Sequence, residues 1–300
     1  MKSVGIIGIG AVGSAASFML SSRNIANELI LYDKIENLAL ASKMDLEDSL
    51  EYTNSNTKIK AAKNLSELIK CDIIVLSFTT CIMQDRTFEL RRNYEALKDI
   101  ILELDGFAGI FVIATNPNDS IVYYAQKLSK LPSFRVLGTG TSLDSARLKI
   151  HIANDLNINY KSFNAYMLGE HGDTQFIYES QIRIADKNLN EIYKNLKLNI
   201  NELENDTRFK GGKIFQVKKK TEFGIGSTIA RVIKAIFEDE NLIIPLSFAQ
   251  GDLAYSRPVI LGENGIKKVL DLNLNNEERE KLEISKDYIR KTINSIVNFL

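Results

Sequence analysis

The run Val4-Gly5-Ile6-Ile7-Gly8-Ile9-Gly10-Ala11-Val12-Gly13 decides how the rest of the chain is read. A short apolar strand pattern leads into G-x-G-x-x-G, and residues 11–22 continue with helical spacing. Glycines alone also mark plain turns. Between a strand and a helix they have a narrower use. The first, Gly8, permits the tight turn, Gly10 lets the main chain approach a pyrophosphate, and Gly13 lets the helix pack on the strand. The helix N-terminus then turns its N–H groups towards the phosphates. The next apolar run, Leu29-Ile30-Leu31-Tyr32, ends on Asp33, twenty residues after Gly13. A carboxylate there can accept hydrogen bonds from both hydroxyls of a ribose and repels a 2′-phosphate. It predicts NAD as cofactor, in preference to NADP. A plainer role for Asp33 would be to cap the helix that follows. The order of strand, glycines and acid favours the nucleotide site.

Outward from this stretch the first half keeps alternating. Val4–Ile7, Leu29–Tyr32, Asp72–Leu76, Ile110–Ala114 and Arg135–Leu137 read as buried strands. Residues 11–22, 36–50, 86–103, 118–130 and 143–155 read as helices. Near-continuous apolar strands separated by amphipathic helices predict a doubly wound parallel sheet of the Rossmann type, covered on both faces. The second half is mixed. Phe163–Leu168 and Phe176–Ile184 suggest strands, and Gly224–Asp239 and Asn275–Leu300 suggest helices, so an α+β substrate domain is expected there. The predicted division is a nucleotide domain over 1–141 and a catalytic domain over 142–300, with no linker composition between them.

Composition narrows the function classes. The chain has 300 residues, 38 basic and 38 acidic, and 45% hydrophobic residues, so no nucleic-acid or membrane partner is suggested. Cys71 and Cys81 are too few for a disulfide framework and lack metal-ligand spacing, and no metal is expected. The N-terminal apolar run is broken by glycines and leads to no small-residue cleavage site, which points to a cytoplasmic protein.

The chain holds two histidines. His151 sits inside an amphipathic helical pattern and reads as a structural or surface residue. His171 lies in Leu168-Gly169-Glu170-His171-Gly172-Asp173, after an apolar run. Leu143-Asp144-Ser145-Ala146-Arg147 places Asp144 and Arg147 three apart, on one helix face, where a simple ion pair is the common outcome.

Together these motifs resemble the L-lactate/malate dehydrogenase family over nearly the whole chain. The glycine fingerprint, Asn116-Pro117-Asn118-Asp119, Gly138-Thr139-Gly140, Leu143–Arg147, Gly169–Asp173 and Pro258–Gly265 occur in the family's order. The resemblance implies hydride transfer between NAD and C2 of a small 2-hydroxy or 2-oxo acid, in a homo-oligomer. It implies that His171 gives and takes the proton, that Asp144 orients it, and that Arg147 grips the substrate carboxylate. These residue types suit those tasks. Imidazole titrates near neutrality, a carboxylate fixes its tautomer, and a planar guanidinium binds a carboxylate in two places. Arg86, seven residues before Asn93, matches the arginine that polarises the carbonyl. Asn116 matches an asparagine between nicotinamide and substrate, and Thr221 a threonine lining the pocket.

The segment Ser77–Arg86 is about two residues shorter than the family's usual loop. No lysine or arginine precedes Arg86 in it, and Asp85 adds a negative charge, which disfavours a dicarboxylate such as malate. Gln84 stands too near Arg86 to be equated with the glutamine of lactate enzymes. Ile82 or Met83 suits an apolar side chain. Phe223–Arg231 and Gly138–Thr141 are similar to L-2-hydroxyisocaproate dehydrogenases, so a larger apolar 2-oxo acid is expected, with lactate as the alternative. Asn164, not basic, stands where fructose-bisphosphate-activated members have a cation, so such activation is not expected. A protein that binds NAD without catalysis is a further alternative, against which the presence of His171, Arg147 and Arg86 argues.

Overall fold

The computed structural model describes residues 2–35, 37–80 and 86–297, without the side chains of Arg86 and Val297. The first half runs β1 (Ser3–Ile7), α1 (Ala11–Ser22), β2 (Glu28–Tyr32), α2 (Leu38–Leu50), β3 (Lys58–Ala61), β4 (Ile73–Leu76), α3 (Arg86–Glu103), β5 (Ile110–Ile113), α4 (Asn118–Ser129), β6 (Val136–Gly138) and α5 (Ser142–Leu156). Strands β3-β2-β1-β4-β5-β6 lie side by side in that order, all parallel. All but the edge strand β3 are buried on both faces, which is why their sequences are near-continuous apolar runs. Alternate residues of β1 divide between two cores: Val4 and Ile6 face α1, α2 and the later helix at Phe223–Phe237, and Ile7 faces α3 and α4.

The chain crosses from one side of β1 to the other between β3 and β4. The turns that leave β1 and β4 therefore diverge and open a crevice at the carboxyl ends of the strands, where such sheets bind ligands. Gly8, Asp33, Ser77, Asn116 and Thr139 follow β1, β2, β4, β5 and β6, so all five stand at this end.

The second half continues with β7 (Met167–Leu168), β8 (Phe176–Ile177), β9 (Arg183–Ile184), β10 (Lys187–Asn188), α6 (Leu189–Leu196), α7 (Ile200–Lys218), α8 (Phe223–Phe237), β11 (Leu242–Gln250), β12 (Leu253–Gly262), β13 (Gly265–Val269) and α9 (Asn276–Val297). The antiparallel β11, β12 and β13 extend the same sheet beyond β6, giving nine strands among the described residues. Helix α8 packs against α1, and α9 packs against α3, α4 and β12, so both cores draw on both halves of the chain. A third cluster, with Leu148, Ile152, Tyr193 and Leu203, joins α5 to α6 and α7.

Two expected strands are shorter than their apolar runs. Phe163–Leu168 pairs only at Met167–Leu168, and Phe176–Ile184 is interrupted by a 3₁₀ turn at Glu179–Gln181. Side chains such as Phe163, Ala165 and Ile182 are buried from loop backbone, so burial rather than sheet pairing accounts for the pattern. No described helix is long and apolar enough to cross a membrane, and no described group of His, Cys, Asp and Glu could hold a metal ion.

Candidate active site

The nucleotide end is built by close backbone packing. Gly8 has φ +91°, and a Cβ on it would stand 2.6 Å from the main chain of Phe78. A Cβ on Gly13 would stand 2.0 Å from the Gly8 carbonyl oxygen. Helix α1 therefore lies against the β1 turn as only glycine permits. A Cβ on Gly10 would meet nothing within 4 Å, and no side chain caps the α1 N-terminus. Open space thus adjoins Gly10 beside the uncapped N–H groups of that first turn, so the residues fit the pyrophosphate of a dinucleotide.

Asp33 is tied into the same turn. Its Oδ2 accepts the Ile9 N–H at 2.7 Å and its Oδ1 accepts the Ile35 N–H at 2.9 Å. Each oxygen keeps a lone pair for a ribose hydroxyl. Asn37, not Asp33, stands at the N-cap position of α2. The plainer capping role considered for Asp33 therefore does not describe its contacts.

The catalytic candidates converge at the start of α5. The helix places Asp144 in its first turn and Arg147 three residues on. Asp144 is 1% exposed, and its two oxygens divide between two partners. Oδ2 lies 2.8 Å from His171 Nδ1, and Oδ1 accepts from Arg147 Nη1 at 2.8 Å. The spacing of Asp144 and Arg147 does give the ordinary ion pair. The same carboxylate also reaches a histidine 27 positions away. Burial pushes Asp144 up, but the charges and hydrogen bonds of His171 and Arg147 outweigh it and hold the group below the usual carboxylate range. Arg147 lies under α7, where a Cβ on Gly211 would stand 3.1 Å from Nη1.

The segment 169–175 that carries His171 is held by side chains from distant elements. Gly169 has φ +88° and exchanges backbone hydrogen bonds with Ser256 of β12. A Cβ on Gly169 would stand 2.4 Å from Ser285 Oγ. That hydroxyl, on α9, accepts the Glu170 N–H at 2.6 Å. The buried Glu170 carboxylate accepts from the N–H and hydroxyl of Thr174, and burial raises its pKa. The His171 N–H donates to Asp119 Oδ2 at 2.7 Å.

In the motif Asn116-Pro117-Asn118-Asp119 three residues each accept a hydrogen bond from another segment. The Asn116 carbonyl accepts from Asn93 Nδ2 at 2.7 Å. Asn93, wholly buried on α3, also accepts from the N–H and hydroxyl of Thr80, so it ties the loop after β4 to the loop after β5. Asn118 holds the turn after β6 by accepting the Gly140 N–H at 3.0 Å. Asp119 is fully enclosed. Sequence reading used Asn93 only as a spacing mark and gave Asp119 no task, because their partners lie 13 to 128 positions away.

The remaining candidates are placed less closely. Half-buried Thr221 lies in the short connection between α7 and α8. Arg86 begins α3, and its side chain lies outside the described residues, as do Cys81, Ile82, Met83, Gln84 and Asp85. His151, on the far part of α5, stands 3.9 Å from Asp155, away from Asp144.

Comparisons with known proteins meet this geometry. Residues 2–138 match a family model described as lactate/malate dehydrogenase, NAD binding domain. Residues 141–300 match its counterpart, the lactate/malate dehydrogenase alpha/beta C-terminal domain. The chain is 36% identical to an L-lactate dehydrogenase of Fusobacterium nucleatum, over 97% of this chain and 96% of that protein. It is 31% identical to L-lactate dehydrogenase 3 of Bacillus cereus, over 98% of each. A ligand-bound crystal structure of the minor L-lactate dehydrogenase of Enterococcus mundtii superposes with a TM-score of 0.93, at 28% identity and 98% coverage of both chains.

Proposed function

Because the chain belongs to the lactate/malate dehydrogenase family, we propose that it is an L-lactate dehydrogenase, interconverting pyruvate and L-lactate. Its activity class is NAD-dependent dehydrogenation of a 2-hydroxy acid, and its cofactor is NAD. The finer reading departs from the larger apolar substrate expected from the likeness of Phe223–Arg231 and Gly138–Thr141 and from residues 82–83. Residues 82–83 lie outside the described structure, and the relatives that span nearly the whole chain are L-lactate dehydrogenases.

The observation that carries the reading is the buried Asp144 carboxylate shared between His171 and Arg147. When bound, the reduced cofactor supplies the hydride that reaches C2 of the 2-oxo acid. With Nδ1 turned to Asp144, His171 presents Nε2 to the substrate oxygen and gives it a proton during reduction. Asp144 steadies the charged imidazole before that step and keeps the tautomer that can take the proton back afterwards. Arg147 commits one donor to Asp144 and uses others of its planar fork to hold the substrate C1 carboxylate, fixing which face of C2 is presented. Asn116 borders the nicotinamide side, Thr221 borders the substrate, and Arg86 stabilises charge growing on the carbonyl oxygen. A protein that only held NAD would not need a buried carboxylate between an imidazole and a guanidinium.

The test is oxidation of NADH with pyruvate, oxaloacetate and 4-methyl-2-oxopentanoate. Pyruvate is expected to give the highest kcat/KM. Oxaloacetate should be poor, since Ser77–Gln84 holds no cation and Asp85 opposes a second carboxylate. A win for the branched acid by about tenfold or more, the worth of two or so buried methylenes, would replace lactate by a bulkier 2-hydroxy acid.

A further inference from the structure

One buried acid next to the catalytic segment has no part in this mechanism. Asp119, in the first turn of α4, is 3% exposed and accepts two hydrogen bonds: Oδ2 from the His171 main-chain N–H at 2.7 Å, and Oδ1 from the Ser247 hydroxyl of β11 at 2.6 Å. It borders a small cavity with Pro117, Glu170, His171, Tyr288 and Thr292. Among the described residues lining that cavity, none is lysine or arginine. Of the described ionisable groups, Glu170 and His171 from the catalytic segment act on Asp119, and Tyr288 from α9 lines the same cavity. Strand β11 offers only a hydroxyl, and Asp144 acts on the His171 ring from α5.

A carboxylate enclosed without a permanent cation is costly to keep charged. Burial pushes Asp119 up to about 6, although its two hydrogen bonds and the charge of His171 pull it down, and Glu170 adds to the rise. Both of its oxygens accept hydrogen bonds, which favours the ionised form, and among the described groups that act on it the cation that could offset it is His171 in its protonated form.

We infer that Asp119 is a positioning residue of the acid/base centre, a second carboxylate that fixes the His171 main chain and by its charge favours the protonated imidazole. The inference rests on His171 being the proton donor. Asp144 and Asp119 then divide the work. Asp144 holds the ring and selects its tautomer. Asp119 holds the backbone that aims the ring and adds a field in the same direction. The cation it favours is the form that 2-oxo acid reduction consumes.

The substitution Asp119→Asn separates charge from hydrogen bonding. Its amide oxygen can still accept the His171 N–H, and its NH₂ can donate to Ser247 Oγ, which is able to accept. The experiment measures the pH profile of kcat/KM for pyruvate reduction, with NADH affinity and thermal unfolding alongside. In Asp119→Asn the protein should stay folded with NADH affinity retained, and the alkaline fall in kcat/KM should move to lower pH by about half a unit or more. Ser247→Ala removes one hydrogen bond that keeps Asp119 ionised, so it should move the fall in the same direction by less. It carries the test alone if Asp119→Asn does not fold. Profiles that superpose on the wild type in the folded variants would overturn the inference. If His171→Asn retains full turnover, or the wild type has no alkaline fall, the failure lies instead with His171 as proton donor.

Discussion

The glycine turn and the His171 segment stand at the same end of the sheet but are held by different means. The turn at residues 8–13 is shaped by main chain against main chain: Gly13 against the Gly8 carbonyl, and Gly8 against the backbone of Phe78. Its one side-chain anchor described above, Asp33, comes from the next strand. The His171 segment is shaped by side chains from α4, α5 and α9, with β12 holding its backbone. The turn is limited chiefly by volume, at Gly8 and Gly13. The His171 segment depends in addition on charges and hydrogen bonds from distant side chains. A cofactor grasped by its phosphates needs a fixed backbone, and a reacting carbonyl needs charges at fixed points.

Substitutions can break or sharpen this contrast. The largest effect is expected at His171. In His171→Asn the shape is nearly kept and the proton is lost, so kcat should fall by roughly 10²–10⁴, the usual share of general acid–base catalysis, while NADH affinity measured by fluorescence stays close to wild type. Next is Arg147→Lys. It keeps the charge but loses the fork, which should raise the KM for pyruvate by roughly ten- to a hundredfold with less effect on NADH. The reverse pattern, with KM constant and NADH binding lost, would place Arg147 outside the substrate site.

The glycine turn should answer to volume. Gly13→Ala drives a Cβ into the Gly8 carbonyl and should cost about 1–3 kcal/mol in denaturant unfolding, with NADH binding weakened. Gly10→Ala meets no neighbour, so it should leave unfolding within about 0.5 kcal/mol of wild type while still weakening NADH. Equal destabilisation by the two would contradict the close packing assigned to Gly13 and not to Gly10. The smallest effect is expected from Asp33→Ala. Losing the ribose acceptor and the charge that repels a 2′-phosphate should narrow the preference for NADH over NADPH by about an order of magnitude in kcat/KM. An unchanged preference would leave Asp33 only its backbone contacts.

The same contrast governs what the sequence reveals. Helices expected over 11–22, 86–103 and 143–155 begin and end within one residue of those bounds, because repeating local pattern specifies them. Strand β3 escaped notice because Lys58-Ile59-Lys60-Ala61 is a short edge strand with exposed lysines. The β11–β12 hairpin escaped too, since Pro245 and Pro258 read against an interior strand. In the fold these two prolines face each other in the β11–β12 register, and β11 pairs with β6 at Ser247. At the site, Asp144 and Arg147 were legible because one helix turn holds both. Asp119, Asn93, Ser247 and Ser285 were not, since each acts on a partner that only the tertiary fold brings near.

The extension of the sheet also sets a timetable. Val136–Gly138 is a sheet edge until Ser247 comes to lie beside Gly138, and the α8 side of α1 is uncovered until Gly226 packs on Ala15. Ser247 leaves the ribosome roughly a hundred residues after Gly138, and Gly226 roughly two hundred after Ala15, on the order of 5–40 s at ordinary elongation rates. For that interval the nascent chain carries an open strand edge beside bare apolar surface, the combination most inviting to foreign strands. Slow translation through residues 142–247 would lengthen this exposure, and a chain stalled there would be a better client for a chaperone than for its own cofactor.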